Sequence, residues 1–165
     1  MSALEPDTLV LTRRLDAAPA RVFRAWSDGD EYASWAVPGE GWVEAEREWD
    51  FREGGVQRSL FGPEGAPSIE SLGRFVLIAP DRRIVSTGTM RDVARDVVSA
   101  ATMMTLDLVP AGTGTALTLI DQSVFLGEGE TPEMRRAGWD WILDRLADHL
   151  AAAARLSAEG PDQRV

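Results

Sequence analysis

Trp139, Leu143, Leu146 and Leu150 recur at spacings of four, three and four, so a helix starting near Thr131-Pro132-Glu133 carries a continuous apolar stripe. Such a stripe is stable in water only when another element covers it. Upstream the period changes to two. From Trp42 onward Val43, Ala45, Arg47, Trp49 and Phe51 share one parity, and Glu44, Glu46, Glu48 and Asp50 the other. Strands are also expected at Leu9–Leu15, Val56–Phe61, Ile69–Ile78, Ile84–Met90, Val97–Val109 and Thr115–Phe125. Connections such as Arg91-Asp92 and Pro110-Ala111-Gly112-Thr113-Gly114 are too short for parallel crossovers, so the strands are antiparallel. A sheet with one apolar face and one long amphipathic helix bury each other. This predicts a two-layer α+β domain, the helix lying across a curved antiparallel sheet of six to seven strands.

Between the first two strands the sequence calls for two short helices. Pro19 suits a first helical position, and Val22, Phe23 and Trp26 then share a face. Ser27-Asp28-Gly29-Asp30 interrupts that helix, and Asp28 with Glu31 forms a capping pair for a second one carrying Tyr32 and Trp35, ended by Pro38-Gly39. The 165 residues are expected to form a single domain with its core at about 9–154 and a frayed tail at 157–165. With no cysteine there is neither a disulfide framework nor a thiolate metal site. A net charge of −10, with all 17 basic residues arginine, opposes binding to a phosphate backbone, so no nucleic-acid partner is expected. No secretory-type leader or membrane-length apolar run is seen, and a cytoplasmic location without a membrane anchor is expected.

Four local motifs, in order, narrow this picture: Arg21-Val22-Phe23-Arg24-Ala25-Trp26 followed by Trp35; Asp50-Phe51-Arg52-Glu53-Gly54-Gly55; Gly73-Arg74-Phe75 leading to Ala79-Pro80-Asp81-Arg82-Arg83-Ile84-Val85; and Ala137-Gly138-Trp139 with Leu143 and Leu146. Over about Leu9 to Leu150 the chain resembles the activator of heat-shock-protein-90 ATPase homologue family, a single-domain, bacterial-type member with the START-like, helix-grip fold. The resemblance implies a cavity between sheet and C-terminal helix, in a fold that commonly binds lipids, polyketides and other apolar molecules. It does not imply chaperone activation, because in the family's name-giving protein a separate N-terminal domain engages the chaperone.

Catalytic machinery is sparse: no cysteine, one histidine, no glycine-rich phosphate loop and no zinc-protease motif. His149 is expected to play a structural part near the end of the long helix. The acidic row Glu44, Glu46, Glu48, Asp50 runs along one strand rather than converging as a hard cation requires, and is expected to be a solvated face. Two polar residues break otherwise inward parities: Arg47 between Ala45 and Trp49, and Asp121 after Leu117 and Leu119, with Ser123 beyond. Either the two pair, or water and a ligand satisfy them, or a bulge reverses the parity.

The expected function is the binding of a small apolar molecule in a cavity walled by Trp49, Met104, Leu117 and Leu119, roofed by Trp139, Leu143 and Leu146, with Trp42 at its mouth and Arg47, Asp121 and Ser123 as polar contacts. No catalytic residue, cofactor or metal is assigned. The alternatives are a cyclase- or hydratase-like enzyme using the same cavity, or a co-chaperone-type interaction module. A homodimer is the default assembly for so small a domain.

Overall fold

A computed structural model describes residues 4–127 and 129–160. Along them run β1 (Glu5–Leu15), α1 (Pro19–Ser27), α2 (Gly29–Trp35), β2 (Trp42–Trp49), β3 (Val56–Pro63), β4 (Ile69–Ala79), β5 (Arg83–Asp92), β6 (Val97–Ala111), β7 (Gly114–Phe125) and α3 (Pro132–Ala158). The strands form one antiparallel sheet in the order β1-β7-β6-β5-β4-β3-β2. β1 and β2 therefore lie at opposite edges, and α1 with α2 carries the chain across the width between them. This is the α+β helix-grip arrangement expected from the sequence, with seven strands.

Local chemistry sets the helix boundaries. Pro19 sits in the first turn of α1, and the Asp28 carboxylate accepts from the backbone N–H groups of Asp30 and Glu31, satisfying two orphan donors at the start of α2. The reciprocal half of the capping pair is not made. Glu31 instead turns to Arg21, at 2.5 Å, and His149, at 2.7 Å, joining α2 to α1 and α3. Arg145 of α3 donates to the carbonyls of Ser34 and Trp35, covering acceptors at the end of α2. At the tail, α3 runs to Ala158 and so takes in residues 157 and 158; residues 161–165 of the expected tail lie outside the described residues. Among the described residues no helix is long and apolar enough to cross a membrane.

The core is lopsided. Leu9, Leu11 and Leu15 of β1, Leu106 and Leu108 of β6, and Leu117 and Leu119 of β7 pack with Leu143, Leu146 and Leu150 of α3. α3 thus closes tightly over the β1-β7-β6 side. The other half of the sheet is held away from the helix by an aromatic seam: Trp26 against Trp35 (5.0 Å between centroids), Tyr32 stacked on Trp49 (4.6 Å), and Trp49 edge-on to Phe75 (5.2 Å). Gly29 is part of this seam, because a Cβ there would lie 2.9 Å from the Trp49 ring. Gly55 closes the turn of the Asp50–Gly55 motif, where a Cβ would lie 2.0 Å from the Asp50 carbonyl oxygen.

Glu31 makes acid stability a test of helix docking. Burial pushes its carboxyl up, but the bonds from His149 and Arg21 outweigh burial and hold it below its ordinary value of 4.5. A carboxyl depressed in the folded state contributes stability that is fully present above its unfolded value and is lost as pH falls through the folded one. The urea midpoint should therefore fall as pH is taken from above 4.5 to below it. In Glu31→Gln that drop should be smaller; an equal drop in both proteins would show that the Glu31 cluster does not stabilise the docking.

Candidate functional site

Between the aromatic seam and the first turns of α3 lies a cavity of about 380 Å³. Its walls come from Trp26, Tyr32, Ala36 and Val37 around α1 and α2, Trp42, Glu44 and Trp49 of β2, and Arg58, Ser59 and Phe61 of β3. Ser71 and Phe75 of β4, Ile84, Ser86 and Met90 of β5, and Thr102 and Met104 of β6 continue the sheet wall. Asp121, Glu130, Arg135, Trp139 and Ile142 close the α3 end.

Of the residues singled out from the sequence, Trp42, Trp49, Met104, Asp121 and Trp139 line this cavity. Leu117, Leu119, Leu143 and Leu146 do not: each is at most 1% exposed and belongs to the packed core on the β1-β7-β6 side. Parity predicts their inward direction, but the tightness of α3 against that half of the sheet leaves no void beside them. Ser123 lies behind the wall, where it donates to Asp121 and shares a 2.8 Å hydrogen bond with Thr102.

The expected pairing of Arg47 with Asp121 is not present. Arg47 donates to the Gly29 carbonyl at 2.6 Å and to Glu44 at 3.1 Å and pairs with Asp30, placing it at the outer margin against the α1–α2 junction. Its nearest void is a second recess beside α2, shared with Asp30, Ser34 and Arg145. The partner of Asp121 is Arg135, whose Nη1 donates to Asp121 Oδ2 at 3.0 Å while its Nε donates to Glu130 at 2.5 Å. Trp139 Nε1 donates to the same Asp121 oxygen at 2.7 Å. With its side chain 0% exposed, Asp121 is fully compensated by these donors. Burial alone would lower the pKa of Arg135, but the bonds and charges of Glu130 and Asp121 outweigh it and keep the guanidinium protonated. Its Nη2 is buried with no partner among the described residues, and its Cζ lies 5.6 Å from the Phe125 ring.

Arg135 carries a sequence signal that the strand parities do not reach. It stands four residues before Trp139, on the stripe that continues through Leu143, Leu146 and Leu150, so a charge on that face requires a buried partner. Glu44 departs from its expected solvated row for a different reason. The β2–β3 register shifts between Glu44 and Glu46, and this bulge turns Trp42 and Glu44 to the same side as Arg47 and Trp49. The Glu44 side chain is only 11% exposed and accepts from Ser59 at 2.7 Å. Burial and the negative charge of Glu44 push the Tyr32 hydroxyl well above its ordinary range. Among the described residues no group of three or more His, Cys, Asp or Glu side chains is arranged to hold a metal ion.

Known proteins share this architecture. A Rhizobium loti protein of known structure is 32% identical, with a TM-score of 0.79, covering 90% of this chain and 99% of its own. A Rhizobium leguminosarum protein is 28% identical with a TM-score of 0.83, covering 91% and 97%. An AHSA1 protein from Silicibacter pomeroyi is 26% identical with a TM-score of 0.72, covering 89% and 99%. No curated protein matches the chain. The family model described as Activator of Hsp90 ATPase homolog 1-like protein matches residues 16–151, and the chain belongs to that family.

Proposed function

We propose that the protein binds a small, largely apolar molecule in the cavity between the sheet and α3. The observation that carries this reading is the void of about 380 Å³ walled by Trp26, Tyr32, Trp42, Trp49, Phe75 and Trp139, within the size range of small-molecule sites. Supporting it, the void lies beside a packed core rather than in place of one, so the fold does not depend on an occupant. The stacked and edge-on rings and the hydrogen bond from Trp49 Nε1 to the Ser27 carbonyl, at 2.9 Å, hold the walls in position before a ligand arrives. The walls are apolar over most of their area, and the charged groups Glu44, Arg58, Asp121, Glu130 and Arg135 are held in ion pairs, which suits orientation of a mostly apolar guest rather than recognition of a highly charged one.

The test is titration with a neutral apolar fluorophore, N-phenylnaphthylamine, under native conditions. A saturable, one-to-one rise in its emission is expected, together with a change in tryptophan fluorescence, since Trp26, Trp42, Trp49 and Trp139 all line the site. Ser71→Phe places a ring in the void and should weaken binding about tenfold or more, roughly 1.4 kcal/mol, while leaving the urea midpoint little changed. Emission that never saturates, or binding indifferent to Ser71→Phe, would place the probe elsewhere and remove the basis for the proposal.

A further inference from the structure

The charges around the cavity specify the head group of the guest. Two arginines line it and a third abuts it, and each is held by two carboxylates: Arg58 by Glu46 and Glu70, Arg135 by Asp121 and Glu130, and Arg47 by Asp30 and Glu44. Arg91 also approaches Glu70, at 3.7 Å, but is itself paired with Asp96. No guanidinium in the wall is left uncompensated for an incoming carboxylate. One Arg135 nitrogen, Nη2, is buried without a partner among the described residues, and the Arg135 Cζ lies 5.6 Å from the Phe125 ring. An anionic amphiphile would meet excess negative charge at both polar ends of the void.

The two ends differ in what they can offer a cation. At the α3 end, Asp121 is enclosed and its oxygens are occupied by Arg135, Trp139 and Ser123. At the β2 end, Glu44 forms part of the wall between aromatic faces. It stands two residues from Trp42 along the strand and directly opposite Phe61 across it, and Trp42 and Phe61 lie 6.2 Å apart. Tyr32, stacked on Trp49, completes that end. Glu44 Oε1 accepts from Ser59 at 2.7 Å and Oε2 from Arg47 at 3.1 Å, while Arg47 also bonds Asp30 and the Gly29 carbonyl; each carboxylate oxygen keeps a further lone pair for a cationic donor. A carboxylate set among aromatic rings attracts a cation twice, through its charge and through the ring faces.

We infer that the cavity selects amphiphiles with a cationic, ammonium-type head, seated against Glu44 among Trp42, Tyr32 and Phe61 with the apolar part extending toward Trp139. This rests on the binding reading above and adds the chemical class of the guest.

Calorimetric titration with three ligands of one shape tests the preference: naphthylmethylammonium, neutral naphthylmethanol and anionic naphthoate. The ammonium is expected to bind about tenfold or more tightly than the alcohol, and naphthoate more weakly than either. In Glu44→Gln, which keeps the side-chain shape, the ratio of ammonium to alcohol affinity should fall to within about twofold. If the alcohol binds and the ammonium binds no tighter, or naphthoate binds best, the head-group inference is overturned and the binding reading stands. Retention of the full ammonium preference in Glu44→Gln would overturn it equally. If none of the three binds saturably, the binding reading fails and this inference with it. Should Glu44→Gln not fold, the ranking of the three ligands on the unmodified protein still decides between these outcomes.

Discussion

Replacing Asp121 by leucine is expected to cost about 3–5 kcal/mol of folding stability, the range for removing one partner of a buried ion pair. The side chain is 0% exposed and takes bonds from Arg135, Trp139 and Ser123, so three donors lose their acceptor together. Arg135→Met should be costly for the converse reason, because it leaves Asp121 charged in the same enclosure. The double change, Asp121→Leu with Arg135→Met, should recover a substantial part of the summed loss, since neither charge then remains buried without its partner. Urea denaturation of the four proteins measures this directly. A single change costing under about 1 kcal/mol, or losses that simply add, would mean that the cluster is solvated and does not fasten α3 to β7.

Leu146→Ala should cost about 2–5 kcal/mol, as a large-to-small change in a close-packed core. Leu146 is 0% exposed and packs in the cluster formed by α3 and the β1-β7-β6 half of the sheet. Leu156→Ala on the same helix is the control: that side chain is 73% exposed, and its loss should lie within about 0.5 kcal/mol of zero. Equal effects at the two positions would contradict the placement of α3. The comparison also separates core from cavity, because helical spacing alone puts Leu146 in the cavity roof and the packing assigns it to the core.

The elements are legible because their signals are local. Alternation in Leu9–Leu15 and Thr115–Phe125, Pro19 at the start of α1, Asp28 at the junction of α1 and α2, and Thr131 before α3 each act over a few residues, and each lies where those patterns put it. The site is legible only in part. Trp42, Trp49, Met104, Asp121 and Trp139 reach the cavity, whereas Leu117, Leu119, Leu143 and Leu146, on equally inward faces, are packed solid. Parity gives a side chain's direction but not the distance to whatever stands opposite, and that distance separates a wall from a core.

Two features are decided by tertiary structure alone. One is the bulge in β2, which arises from pairing with β3 and brings Glu44 inward among the aromatic rings; alternation within one strand carries no information about a register shift imposed by its neighbour. The other is the choice of ion-pair partners. Arg47, Asp121 and Arg135 are each recognisable as charges on apolar faces, and burial requires each to be compensated. Which meets which depends on α3 placing Arg135 over β7 and on the α1–α2 junction reaching Arg47 at the far edge. The sequence by itself determined the elements, their order and the need for an amphipathic helix over an open sheet, because hydrophobic periodicity and capping act along the chain. The cavity, its charge balance and the head group it favours depend on contacts between residues distant in sequence, which only the assembled fold brings together.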